Sequence, residues 1–74
     1  MDNIIDMLKE IRDEQGLHKN LKTHIETIIS HLENDPELGK DKALTEIEEM
    51  IDRNNMDPHI RQQIYSVVSM LESL

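Results

Sequence analysis

The sequence carries the same pattern of apolar residues twice, at an offset of 39 positions. When residues 8–33 are laid on residues 47–72, aliphatic side chains or methionine coincide at eight positions. A repeat of this length is typical of helix–turn–helix units that bury their apolar sides against each other. The coinciding pairs are Leu8 with Ile47, Ile11 with Met50, Leu17 with Met56, Leu21 with Ile60, Ile25 with Ile64, Ile28 with Val67, Ile29 with Val68, and Leu32 with Leu71.

Within each repeat, the helical spacing of these residues predicts two helices. The first helix should run from about Asp2 to Glu14 and end before Gly16, because glycine adopts the left-handed conformation that ends many helices. The second should run from about Lys19 to Glu33 and stop at Asn34-Asp35-Pro36, because proline cannot continue a helix.

Two starting points are open for the third helix. It begins either in an early turn capped by Asp35-Pro36 or later, with Asp41 as the cap. It should end at Asn54-Asn55, where Asn55 takes the left-handed position that Gly16 holds in the first repeat. The fourth helix has Asp57 as its N-cap and Pro58 as its first residue, and it should run to the last few residues.

Short connections place consecutive helices side by side and antiparallel. The sequence therefore predicts one all-α domain over residues 1–74, a four-helix antiparallel up-and-down bundle built from two repeated helical hairpins. The first repeat unit covers residues 2–35 and the second covers residues 41–74. Two stacked solenoid units are a less favoured alternative, because they would leave apolar end faces exposed. An exchange of hairpins between two chains, with a hinge at residues 35–41, also stays open.

The core of such a bundle must be aliphatic, because the chain contains one Tyr and neither Phe nor Trp. A chain of 74 residues buries only about 60% of its unfolded surface, which leaves a thin stability margin. A homodimer that buries further surface would add to this margin. Self-association is therefore expected.

The composition also limits the compartment and the partners. There is no Cys for a disulfide or a zinc-binding thiolate, and the start of the chain lacks the pattern of a signal peptide. No apolar run approaches the roughly 20 residues that span a bilayer. We expect a soluble, cytoplasmic protein without a membrane partner. The net charge of −8 disfavours nucleic acid, because a phosphate backbone would be repelled.

No residue pattern in the sequence supports catalysis, and we expect a protein that is not an enzyme and has no catalytic, cofactor-binding or metal site. The serines lack a neighbouring base, and the two glycines are isolated. His24 and His31 are seven residues apart, whereas paired histidine ligands on a helix usually lie three or four apart. The acidic residues of the third helix are expected to form a solvated face, and they are Glu46, Glu48, Glu49 and Asp52.

The fourth helix is the one surface that stands out. From Pro58 to Leu74 only Arg61 and Glu72 carry a formal charge. Protein interfaces are poor in charge and rich in Tyr, Met and Arg. We therefore expect a protein–protein interaction module that forms a homodimer or docks onto another protein through its fourth helix. The residues assigned to this surface are Arg61, Gln62, Tyr65, Ser66, Ser69 and Met70.

Two other functions remain as alternatives. One is a nucleic-acid or ribosome-associated accessory protein that binds through the modestly basic stretch from His18 to His24. The other is a weak metal or small-ligand binder that uses His24 and His31.

The second repeat also resembles a known family. The stretch from Asn54 to Arg61, followed by Ile64 to Glu72, is similar to the archaeal uncharacterised protein family one-four-seven. That family often has Trp where this chain has Tyr65, and Asp57 here separates Met56 from the proline that usually follows it. The resemblance implies an archaeal source and a small four-helix bundle. It implies no activity, because the family has no established biochemical function.

Overall fold

A computed structural model describes residues 2–35 and 37–74. The described chain forms four helices, α1 (Asp2–Arg12), α2 (Lys19–Asn34), α3 (Gly39–Arg53) and α4 (Pro58–Glu72). The described residues contain no strand. Within them, no helix has the length and apolar character needed to cross a membrane.

The helices form a compact four-helix bundle. Each helix packs against the next one along the chain, and α4 returns to lie beside α1. The most extensive contact is that between α2 and α3. The radius of gyration is 11.1 Å, and a globular domain of this length is expected to have about 11 Å. The predicted all-α bundle is therefore confirmed.

The core is aliphatic and follows the repeat. At all eight coinciding positions the side chains are buried or half-buried, and Ile4 and Ala43, which are also 39 residues apart, are both buried. The described residues bury no charged side chain in this core. The largest fully buried side chains are Leu8, Ile11, Ile25, Ile28, Ile47, Met50, Ile64, Val67 and Leu71.

The start of α4 is as predicted. The carboxylate of Asp57 accepts a hydrogen bond from the backbone N–H of His59 at 2.8 Å, and Pro58 is the first helical residue. Before α4, Met56 is buried, while Leu17 in the equivalent turn is half-buried against the core. Both turns are thus anchored by an apolar side chain.

The end of α1 and the turn after α3 differ from the prediction. Helix α1 ends at Arg12 rather than Glu14, and Gly16 alone among the described residues has a positive φ, of 85°. The left-handed conformation predicted for Asn55 was therefore wrong. Helix α3 continues to Arg53, and the side-chain amide of Asn54 donates to the carbonyl oxygen of Met50 at 3.0 Å. This bond satisfies an end carbonyl of α3 without a left-handed residue.

The start of α3 lies between the two predicted points. Asp35 follows α2 and its carboxylate accepts hydrogen bonds from the backbone N–H of Leu38 at 2.9 Å and from Nζ of Lys42 at 2.8 Å. Asp41 lies inside the first turn of α3 and does not cap it. Pro36, which belongs to the predicted helix stop, lies outside the described residues.

Gly39 lets α3 start against the end of α2. It is buried, and a Cβ atom placed on it would collide with the carbonyl oxygen of His31 and lie 3.3 Å from the Cα atom of Leu32. These are backbone atoms, which cannot move away as a flexible side chain could. The absence of a side chain at residue 39 therefore permits the close α2–α3 contact.

We expect Gly39→Ala to lower the free energy of unfolding by about 3 kcal/mol, because the added methyl group must push two helices apart. Urea denaturation of the purified variant measures this loss. Gly16→Ala is the matched control, since no atom lies within 4 Å of its added Cβ and only the positive φ is strained. Its loss should be about 1 kcal/mol. Equal losses in both variants would contradict the proposed close contact.

The pKa of Asp35 lies below its ordinary value, chiefly because of the hydrogen bond from Lys42 and further because of the one from the N–H of Leu38. A lowered carboxyl pKa stabilises the fold above the pKa of the unfolded chain, and this contribution disappears as the pH falls. Asp35→Asn keeps an acceptor for Leu38 but removes the charge.

We expect Asp35→Asn to be less stable than the wild type at pH 7, with the difference shrinking from about pH 4 downwards. Urea denaturation between pH 7 and pH 2.5 measures it. Asp6→Asn, at an exposed position of α1, should not show this behaviour. A difference that is constant across this range would show that the charge of Asp35 does not act on the fold.

Candidate functional site

Helix α4 combines a buried apolar side with a solvent side that carries little charge. Ile60, Ile64, Val67 and Leu71 recur at helical spacing and are buried in the core. Within residues 58–74 the formal charges are those of Arg61 and Glu72, both at exposed positions. Helix α3, of equal length, holds Asp41, Glu46, Glu48, Glu49 and Asp52 among its charged residues.

The six residues assigned to the interaction surface do not share one side of α4. Arg61, Gln62, Tyr65, Ser66 and Ser69 are exposed, while Met70 is half-buried. The ring of Tyr65 stands out among them, because half of this residue's surface is exposed. A large, half-exposed aromatic side chain is the kind of residue that anchors protein interfaces.

Met70 belongs to the flank of α4 that faces α1. It lines a shallow groove together with Asn3 and Ile4 of α1 and with Leu74. At about 100° per residue, Arg61 projects about 180° away from Met70. Arg61 and Tyr65 therefore lie towards α3, the other neighbour of α4. Gln62 lies between the two flanks, on the outermost side, while Ser69 lines the groove beside Met70.

The flank of α3 that faces α4 is defined in the same way. Glu46 of α3 contacts His24 of α2, and it lines a groove with His31. The opposite flank of α3, which carries Leu44 and Ile51, must therefore face α4. Both residues are half-buried and pack against the core.

His24 and Glu46 form the main polar contact between α2 and α3. Nδ1 of His24 lies 2.7 Å from Oε1 of Glu46, and the two side chains are 23% and 21% exposed. This half-buried contact gives His24 a structural role, and its Nδ1 atom is no longer available to bind a ligand. Part of the basic stretch from His18 to His24 is therefore engaged in holding two helices together.

The equivalent position between α4 and α1 is built differently. The 39-residue offset places Gln63 where the first repeat has His24, and it places Met7 where the second repeat has Glu46. Oε1 of Gln63 is buried and makes no hydrogen bond with any part of the chain that the structure describes. An acceptor buried without a donor costs free energy. The expectation that Glu46 lies on a solvated acidic face was wrong, because its side chain is only 21% exposed and contacts His24. The burial of Gln63 was not predicted either, although the offset links both positions.

The histidines are not gathered into a metal site. Within residues 2–35 and 37–74, no three His, Asp or Glu side chains are placed to hold a metal ion together. His59 lies 3.4 Å from Glu14, measured from Nε2 to Oε1, and its side chain is 64% exposed. These two residues line a cleft of about 250 Å³ between the turns that precede α2 and α4.

The fold and this surface together define a small acidic four-helix bundle with a charge-poor fourth helix. The chain matches the Uncharacterised protein family (UPF0147) over residues 1–74, and it therefore belongs to that family. This confirms the resemblance seen in the second repeat. Among curated proteins and solved structures, no significant match to the chain was found.

We expect Gln63→Met to raise the free energy of unfolding by about 1 kcal/mol, because it removes the orphaned acceptor while keeping a similar side-chain volume. Thermal and urea denaturation measure the gain. Gln62→Met is the matched control at the neighbouring exposed position, and it should leave stability unchanged. A loss of stability in Gln63→Met would show that the amide is hydrogen-bonded in solution.

Proposed function

We propose that this protein is a small protein–protein interaction module that associates with itself through the solvent side of α4. The observation that carries the proposal is the half-exposed Tyr65 on a helix whose residues 58–74 include only two formal charges. The rest of the surface is strongly acidic, since the chain has a net charge of −8. Exposed charge of one sign keeps molecules apart, so contact between copies is favoured where charge is sparse.

The size of the core supports self-association. The buried side chains are aliphatic or methionine, and none of the buried residues in the described chain is aromatic. Aromatic side chains bury the largest apolar areas, so a core without them gains less free energy from each buried residue. A second copy covering Tyr65 would remove further apolar surface from water. The proposed role is binding, without a catalysed reaction.

We also propose the cytoplasm of an archaeon as the place of action. The lack of cysteine is compatible with a reducing compartment, where disulfides do not contribute to stability. The archaeal source is what the family resemblance implies. Expression of a fluorescently tagged chain in an archaeal host tests the location, and signal confined to the cell envelope would contradict it.

We expect the wild-type protein to dimerise and Tyr65→Glu to weaken the dimer by about tenfold or more, because a new charge would be buried without a partner. Sedimentation equilibrium over a hundredfold range of concentration measures both dissociation constants. Circular dichroism checks that the variant remains helical, which its exposed position favours.

Thr23→Glu is the matched control for this experiment. Thr23 is exposed on α2 and holds the place in the first repeat that Gln62 holds in the second. The substitution adds the same charge on the other hairpin and should leave the dimer intact. A wild-type protein that is monomeric throughout would contradict self-association. A dimer that Tyr65→Glu leaves unchanged would contradict the assignment of the surface to α4.

A further inference from the structure

The two hairpins are similar in their cores but differ on their outer faces. The α1–α2 face of the first hairpin corresponds to the α3–α4 face of the second, through the 39-residue offset. Arg12 corresponds to Ile51, and Glu26 corresponds to Tyr65. Two charged side chains of one face are thus replaced by two apolar side chains on the other.

The charged residues of the first face interact. Nε of Arg12 donates a hydrogen bond to Oδ1 of Asp13 at 3.1 Å. The pKa of Arg12 lies above its ordinary value, chiefly because of this bond and further because of the negative charge of nearby Glu26. The α1–α2 face is therefore a hydrated ionic surface. Hydrated charges resist burial against another protein.

The α3–α4 face carries apolar side chains at these two positions instead. Leu44, Ile51 and Val68 are half-buried and pack against the core, and Tyr65, on the same flank of α4 as Val68, has half of its surface exposed. On α4, Tyr65 and Val68 lie on the same flank as Arg61 and Glu72, because these four residues are spaced by four, three and four positions. The apolar pair is thus bordered by a cation at one end and an anion at the other.

This order of residues is self-complementary between two antiparallel copies of α4. A two-fold axis midway between Tyr65 and Val68 places Tyr65 opposite Val68 of a second copy, and it places Arg61 opposite Glu72 of that copy. Within one chain, Arg61 and Glu72 are about 16 Å apart along the helix axis, too far for an ion pair. Neither forms an ion pair within residues 2–35 and 37–74.

We propose that two copies of this chain associate through their α3–α4 faces, with the two α4 helices antiparallel, so that Arg61 of each copy pairs with Glu72 of the other and Tyr65 packs beside Val68. This inference rests on the proposed self-association and adds its geometry. It moves the contact from the outermost side of α4 to the flank beside α3. Ser66 and Met70 then lie outside the interface, while Leu44 and Ile51 enter it.

Charge reversal tests this geometry. In Arg61→Glu, a glutamate faces Glu72 of the other copy twice in each dimer. In Glu72→Arg, an arginine faces Arg61 in the same way. Each variant alone should dimerise about tenfold more weakly than the wild type. Both substitutions suit the helix dipole, since they place an acid in the first turn of α4 and a base in the last, so both variants should fold.

The decisive measurement is an equimolar mixture of the two variants. In a heterodimer, the glutamates at 61 and 72 of one chain face the arginines at 72 and 61 of the other, so all contacts are attractive. Native mass spectrometry should show the heterodimer in excess of both homodimers, and sedimentation equilibrium should give a dissociation constant close to that of the wild type. Both variants remain acidic overall, so general attraction between them is not expected.

Lys22→Glu and Glu33→Arg are the matched controls, because these positions correspond to Arg61 and Glu72 in the first hairpin. They should dimerise like the wild type and show no preference when mixed. A wild-type dimer that is weakened by Tyr65→Glu, but whose charge-reversal variants show no preference, would overturn this geometry and leave the proposed function standing. A wild-type monomer would overturn both.

Discussion

The contact between the end of α2 and the start of α3 determines how the two hairpins meet. The hairpins also meet where α4 lies beside α1, but the α2–α3 contact is the more extensive one, and it depends on a residue without a side chain. Gly39 lies against the backbone at His31, and α2 and α3 form the most extensive helix contact in the bundle. Asp35 holds the same corner by binding both Leu38 and Lys42. The α2–α3 approach also brings His24 and Glu46 together.

Much of this fold could be predicted from the sequence, because the apolar residues recur at helical spacing and because Asp57 and Pro58 mark a helix start by themselves. The start of α4 was predicted correctly since Asp57 and Pro58 act within one helical turn. The start of α3 was not, because Asp35 is bound by a side chain seven residues away as well as by a nearby backbone group. Asn55 was misjudged because the competing bond comes from its neighbour Asn54, whose amide reaches back to Met50.

The candidate surface was predictable only in part. The sparse charge of α4 can be counted directly, and Tyr65 was identified in this way. Which flank of a helix meets which neighbour depends on the order of helices around the bundle, and spacing alone does not reveal it. For this reason Met70 and Arg61 were assigned to one surface, although they face opposite neighbours. Comparing equivalent positions of the two repeats separates the flanks, because Ile51 and Tyr65 replace charged residues there.

The difference between the two inter-hairpin contacts also has a consequence for assembly during synthesis. When the second hairpin is the partner of the first, His24 finds Glu46. If two copies of the first hairpin packed together, the equivalence of the repeats would place His24 against Met7. The apolar side chain of Met7 cannot replace the hydrogen bond that Glu46 makes with His24. The duplicated hairpins are thus chemically distinguishable. The His24–Glu46 hydrogen bond therefore favours pairing of the first hairpin with the second hairpin of its own chain over pairing with the first hairpin of another chain.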